Sequence, residues 1–204
     1  MNWVRGWVLL GWAAASVAAG CSRSESFVEP VGSEAVSRDG AVRFSIDHSR
    51  EQVSVTETQT GRPLAGVKVG KAPARLALGP DGTLYVTNRG SRSVSVVAPG
   101  RWAEVARIEV GVEPVGVVAS DDGRTVYVVN SSSLDQADSG SLMAIDTATR
   151  QILWEVPVGK DPRDVQLLPG HKARVTLYLR PERVEVDLRT REVLTSAADL
   201  HASR

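Results

Sequence analysis

An all-β fold of about four similar four-stranded antiparallel units is predicted by three features of the 204-residue sequence. First, a Gly-x-x-Pro tetrad recurs as Gly70-Lys71-Ala72-Pro73, Gly111-Val112-Glu113-Pro114 and Gly159-Lys160-Asp161-Pro162, with prolines 41 and 48 residues apart. Second, the runs between tetrads are short, rich in Val, Ile, Thr and Tyr, and bounded by Asp-Gly, Pro-Gly or Asn-containing turns, as strands are. Third, no window of 12 or more residues between Phe27 and Leu194 keeps a helical apolar period.

The chain starts with a targeting pattern. Met1–Arg5 carries one positive charge, and Gly6–Ala19 is apolar but too short to span a bilayer. Ala18-Ala19-Gly20-Cys21 resembles the lipobox of bacterial lipoproteins, with Ala where Leu is usual. The resemblance implies cleavage before Cys21 and a diacylglycerol anchor on its thiol. Ser22 at the second mature position implies the outer membrane, facing the periplasm or the cell surface. Expected boundaries are a signal peptide over 1–20, a lipidated tether over 21–27, repeats over 28–195 and a disordered tail over 196–204.

The repeats divide into units at about 28–70, 71–111, 112–159 and 160–195. The second and third are the clearest. Asp81-Gly82 and Asp122-Gly123 suit tight hairpins, because Gly accepts positive φ and Asp bonds its own turn. Leu84–Asn88 and Val126–Asn130 follow, with Tyr85 and Tyr127 separated by 42 residues. The expected strands are 74–78, 84–88, 93–97 and 104–110, then 115–120, 125–130, 141–146 and 151–157. In the first unit, Val28-Glu29-Pro30-Val31-Gly32 repeats the lettering of Val112–Gly116. Asp39-Gly40 is its turn, and Val42–Ile46 takes the place of the tyrosine strand. The fourth unit starts at Pro162, turns at Pro169-Gly170 and continues with Val175–Leu179. A unit of this length holding four antiparallel strands matches one blade of a β-propeller.

Tyr85-Val86-Thr87-Asn88-Arg89-Gly90-Ser91, then Val94-Ser95-Val96, resembles the YVTN-type propeller repeat. So does Ile145-Asp146-Thr147-Ala148-Thr149 with Val156–Pro162. The resemblance implies an extracellular, periplasmic or surface protein, commonly of seven blades. Sixteen strands make four. The units either close as a compact four-bladed ring, form an arc completed by a protein partner or second copy, or belong to a truncated frame.

Composition narrows the function. Lys plus Arg and Asp plus Glu both number 24, so no basic excess points to nucleic acid. A single Cys excludes internal disulfides and thiolate clusters. His48, His171 and His201 lack metal-ligand spacing, and no Gly-x-Ser-x-Gly elbow or phosphate loop exists. No cofactor and no catalytic set are expected. Tyr85, Asn88, Tyr127 and Asn130 recur once per unit, which marks them as structural. Two positions after each proline the copies diverge, to Arg75, Gly116 and Asp164. Arg75 and Asp164 are therefore the candidate ligand residues at the channel mouth, with Asp161 and Glu113 near the same rim. Asp135 and Asp138 in the 131–140 loop lack the alternating carboxylates of a Ca²⁺ site. The function expected is an envelope-anchored binding or scaffolding module. The alternatives are a lactonase-like hydrolase or an accessory subunit of a periplasmic redox enzyme.

Overall fold

The computed structural model describes residues 32–132, 139–178 and 183–195. The signal peptide, Cys21, the 133–138 segment with Asp135 and Asp138, and the tail with His201 lie outside the described residues. Among the described residues, sixteen strands form four four-stranded antiparallel sheets, each in chain order. The first blade comprises β1 (Glu34–Val36), β2 (Val42–Asp47), β3 (Gln52–Glu57) and β4 (Pro63–Lys68). The second comprises β5 (Pro73–Leu78), β6 (Leu84–Asn88), β7 (Ser93–Ala98) and β8 (Ala103–Glu109). The third comprises β9 (Val112–Ala119), β10 (Thr125–Ser132), β11 (Gly140–Asp146) and β12 (Ile152–Gly159). The fourth comprises β13 (Pro162–Leu168), β14 (Lys172–Leu177), β15 (Arg183–Asp187) and β16 (Val193–Thr195).

The hairpin turns follow from their sequence. In the β1–β2 turn, Ser37 Oγ donates to Asp39 at 2.5 Å and Gly40 N–H donates to the Ser37 carbonyl at 2.8 Å. The β9–β10 turn repeats this with Ser120, Asp122 and Gly123. Gly40 and Gly123 both sit at positive φ, 71° and 69°, where a side chain would be strained. Further turns are closed by Asp47 with Ser49, Glu57 with Thr60, Asp146 with Thr149 and Asp187 with Thr190.

Hydrogen bonds hold all six of these carboxyls below the usual carboxylate range. The bond from Ser37 dominates at Asp39, Ser49 at Asp47, Thr60 at Glu57 and Ser120 at Asp122. Backbone N–H groups of Thr149 and Thr190 dominate at Asp146 and Asp187. A lowered native pKa stabilises the fold above the unfolded value, about 4 for Asp and Glu, and this is lost as pH falls through the native pKa. The melting temperature should therefore hold steady down to about pH 5 and fall below about pH 4. Asp122→Asn should make that fall shallower in thermal melts across pH. A slope unchanged by the substitution would remove these turns as the cause.

The core lies in three layers between successive blades. Strand registers define one apolar row per layer: Ala35–Phe44–Val55–Ala65, Ala77–Tyr85–Val96–Ala106 and Val118–Tyr127–Ala144–Trp154. Each row packs on the next blade. Counting from Asp-Gly matches Val42 with Leu84, but the registers put Phe44 where Tyr85 stands. The first turn, like the third blade's, holds one residue more between Gly and that ring. Phe44 is 1% exposed and meets Trp102 edge-on at 5.2 Å.

Inner strands pack in chain order, β1 on β5, β5 on β9 and β9 on β13. Among the described residues, the strong packing between blades joins consecutive blades. The four blades thus follow one another in chain order as an arc.

Candidate functional site

The inner strands begin with a shared device. In each Gly-x-x-Pro tetrad the residue before proline is left-handed: Ala72 (φ 50°), Glu113 (51°) and Asp161 (52°). That conformation costs a non-glycine residue roughly 1–2 kcal/mol. Backbone bonds fix it. Gly90 and Arg89 N–H groups donate to the Lys71 and Ala72 carbonyls, each at 3.0 Å, and Tyr178 N–H donates to Asp161 at 2.9 Å. The same strain in three blades is a repeat feature, not a site.

One residue past each proline, the inner strand bulges. Pro73 faces Asn88 and Arg75 faces Thr87, which leaves Ala74 unpaired; Val115 and Arg163 are the corresponding extra residues in β9 and β13. Arg75, Gly116 and Asp164 thereby occupy one equivalent position on three neighbouring strands. Gly116 is small because β13 comes close: a Cβ there would stand 3.1 Å from the Asp164 Cα.

Arg75 and Asp164 interact electrostatically without being paired. The Arg75 charge acts on the Asp164 carboxyl, yet no ion pair joins them among the described residues. Arg75 Nη1 donates to its neighbour's carbonyl, Ala74, at 3.4 Å, while its Nε is buried with no partner. Asp164 Oδ1 accepts from Val165 N–H at 2.9 Å. Burial pushes the Asp164 carboxyl above its ordinary value, opposed by the Val165 bond and by Arg75. A buried guanidinium N–H without an acceptor and a half-buried carboxyl that feels its charge therefore lie on the two strands flanking β9.

The other candidates are engaged. Tyr85 is 6% exposed among Val94, Val96, Ile108, Val126 and Ile145, between the second and third blades. Burial pushes its hydroxyl up to about 12. Tyr127 lies 5.9 Å from the Trp154 ring in the next layer. Asn88 Nδ2 donates to Ser95 Oγ at 2.9 Å and to the Ser93 carbonyl at 3.3 Å, so it bonds the adjacent strand rather than a turn. Asn130 Nδ2 donates to Ser141 Oγ at 3.2 Å in the same way. Each Asn lies against a tetrad glycine: a Cβ on Gly70 or Gly111 would come 2.6 or 2.8 Å from its Cγ. Glu113 is taken by Arg89 at 3.1 Å, a tie between the second and third blades. His171 lies in the β13–β14 turn, 2.7 Å from Arg189, and His48 in the β2–β3 turn. Among the described residues no three His, Cys, Asp or Glu lie together to hold a metal, and no helix is long and apolar enough to cross a membrane.

Sequence reasoning missed two charged features of the fourth blade. Arg163 stacks over the Tyr178 ring at 4.1 Å, with Tyr178 65% exposed. Arg174 and Glu185 pair at 2.8 Å on the face turned away from the third blade. The signal was alternation: Lys172, Arg174 and Thr176 interleave with Ala173, Val175 and Leu177.

No family model matches the sequence, and no curated protein matches it. Solved structures do. A chain of the Kuenenia stuttgartiensis hydrazine synthase is 28% identical, with a TM-score of 0.71 over 85% of this chain and 52% of that one. Virginiamycin B lyase from Staphylococcus aureus is 13% identical, with a TM-score of 0.65 over 81% of this chain and 55% of that one. A putative 6-phosphogluconolactonase from Bacteroides uniformis is 17% identical, with a TM-score of 0.64 over 82% and 53%. The fold is that of a β-propeller. This four-blade chain spans about half the length of the solved propellers it matches.

Proposed function

We propose that this protein is a binding module held at the bacterial cell envelope, taking a polar group between Arg75 and Asp164 on its inner strands. The observation that carries the reading is the Arg75 Nε–H, buried without an acceptor, in a residue whose charge acts on a carboxyl it does not pair with. The strands that carry them, β5 and β13, both pack on β9. Asn88 and Asn130, whose Oδ1 atoms are likewise buried without a donor, are held through their amide nitrogens. The envelope location rests on the Ala18-Ala19-Gly20-Cys21 pattern. A ligand group with an acceptor for Arg75 and a donor for Asp164, such as an amide or an amino acid, fits this pair best.

The test is thermal shift with acetate, glycine and N-acetylglycinamide. A ligand that binds only the folded protein raises its melting temperature by mass action. Glycine or the amide should shift the wild type, and both Arg75→Ala and Asp164→Asn should lose the shift. No shift at millimolar probe, or one that survives both substitutions, would refute the assignment.

A second reading is an accessory component working beside an enzyme. The 28% identity to a hydrazine synthase chain favours it. The lactonase-like alternative has only the shared fold behind it, and fold does not carry function.

A further inference from the structure

At the level of Arg75, Gly116 and Asp164, the two spaces between inner strands are packed differently. Arg75 alternates with Leu76 and so shares a face with Ala77, whose layer includes Val117, Ala119 and Val126 of the third blade. A long side chain is therefore accommodated between β5 and β9. Gly116 holds the equivalent position on β9. It pairs with Val129, which pairs with Leu142, and both of these pack with Val165 and Val175 of the fourth blade. No side chain fits between β9 and β13 at this level. A Cβ on Gly116 would stand 3.1 Å from the Asp164 Cα and 3.4 Å from its carbonyl carbon, inside the roughly 3.5–4.0 Å of an ordinary carbon contact. Those atoms are backbone, so β13 itself would have to move. The φ of Gly116 is not positive, so its conformation does not call for glycine; the close approach does.

We infer that Gly116 is a positioning residue for the Arg75–Asp164 site: its missing side chain lets β13 seat Asp164 within reach of a ligand held by Arg75. This rests on the binding reading above. The Arg75 charge acts on the Asp164 carboxyl although the two stand on strands separated by β9, which is what a close seating of β13 produces. A ligand that must meet one group on each of two strands tolerates displacements of only about 0.5 Å. Gly116 touches no ligand in this role. It acts through the place of Asp164, and a larger residue there moves the carboxyl without altering its chemistry.

The experiment is a cycle in the full chain: wild type, Gly116→Ala and Gly116→Val, each with and without Arg75→Gln. One readout is the titration midpoint of Asp164, followed by carboxyl-carbon NMR. The other is glycine affinity from thermal shift. Removing the Arg75 charge should raise the midpoint in the wild type, because that charge lowers it. The rise should shrink in Gly116→Ala and shrink further in Gly116→Val, which a loss of stability alone would not cause. Glycine should bind both variants at least about fivefold more weakly than the wild type. A rise as large in the folded variants as in the wild type would overturn the inference, as would glycine binding to them undiminished. If glycine does not bind the wild type, the binding reading fails and the midpoints alone decide the positioning. Should Gly116→Val not fold, the wild type and Gly116→Ala decide.

Discussion

Phe44→Ala is expected to release the first blade from the arc while the other three stay folded. Phe44 is buried at the centre of the layer between the first and second blades, edge-on to Trp102. Truncating a buried phenylalanine removes roughly 3–5 kcal/mol. In a closed ring every blade has two neighbours, and such a loss would be shared. Here, among the described residues, the strong packing of the first blade is on the second, and Arg43 and Ser45 lie on its other face. Stability in such arrays is close to a sum of unit terms and nearest-neighbour interface terms. Deleting the main ring of a single interface should therefore uncouple one unit instead of lowering the whole. Urea unfolding followed by far-ultraviolet circular dichroism should split into two transitions. Hydrogen exchange should show β1–β4 losing protection ahead of β9–β16. One transition seen by all probes, with exchange rising equally in four blades, would mean the blades are more strongly coupled than an arc allows.

The fold was legible because repetition and turn chemistry agree. Asp-Gly, Pro-Gly and the Gly-x-x-Pro tetrads mark strand ends locally, and the observed strands of the second and third blades start and stop within a few residues of the expected ones. Legibility weakened where two signals competed. In the first blade the Asp-Gly match points one residue away from the true equivalence, because the residue count between Gly and the aromatic differs from that of the second blade. Arg75, Gly116 and Asp164 could be picked out as the divergent column, since that required only alignment of the copies. What alignment could not show is that bulges at Ala74, Val115 and Arg163 bring this column to one level, or that the Arg75 Nε–H is buried without an acceptor. The charged outer face of the fourth blade was missed for a related reason. Lys172 and Arg174 look like ordinary alternation until the registers place them where the inner blades carry apolar side chains.

Gly140→Ala is expected to cost more than any glycine substitution in the turns. Gly140 opens β11 opposite Gly159, where the third blade meets the start of the fourth. A Cβ there would stand 2.3 Å from Cδ and Cγ of Pro162 and 2.8 Å from the Asn130 carbonyl oxygen. Neither neighbour yields easily. The proline ring is rigid and begins β13, and the carbonyl belongs to the backbone of β10. One added methyl must therefore part the two blades, which puts the loss at about 3 kcal/mol or above, the upper end for overpacking. Gly40→Ala provides the contrast. Nothing lies within 4 Å of a Cβ at Gly40, and only its φ of 71° resists the change. That substitution should cost about 1 kcal/mol, the left-handed backbone penalty alone. Denaturant midpoints of the two variants separate contact from conformation. If Gly140→Ala loses no more than Gly40→Ala, Pro162 does not press on β11, and the third and fourth blades are joined by Val115, Leu142 and Val165 without the close backbone approach at their rim.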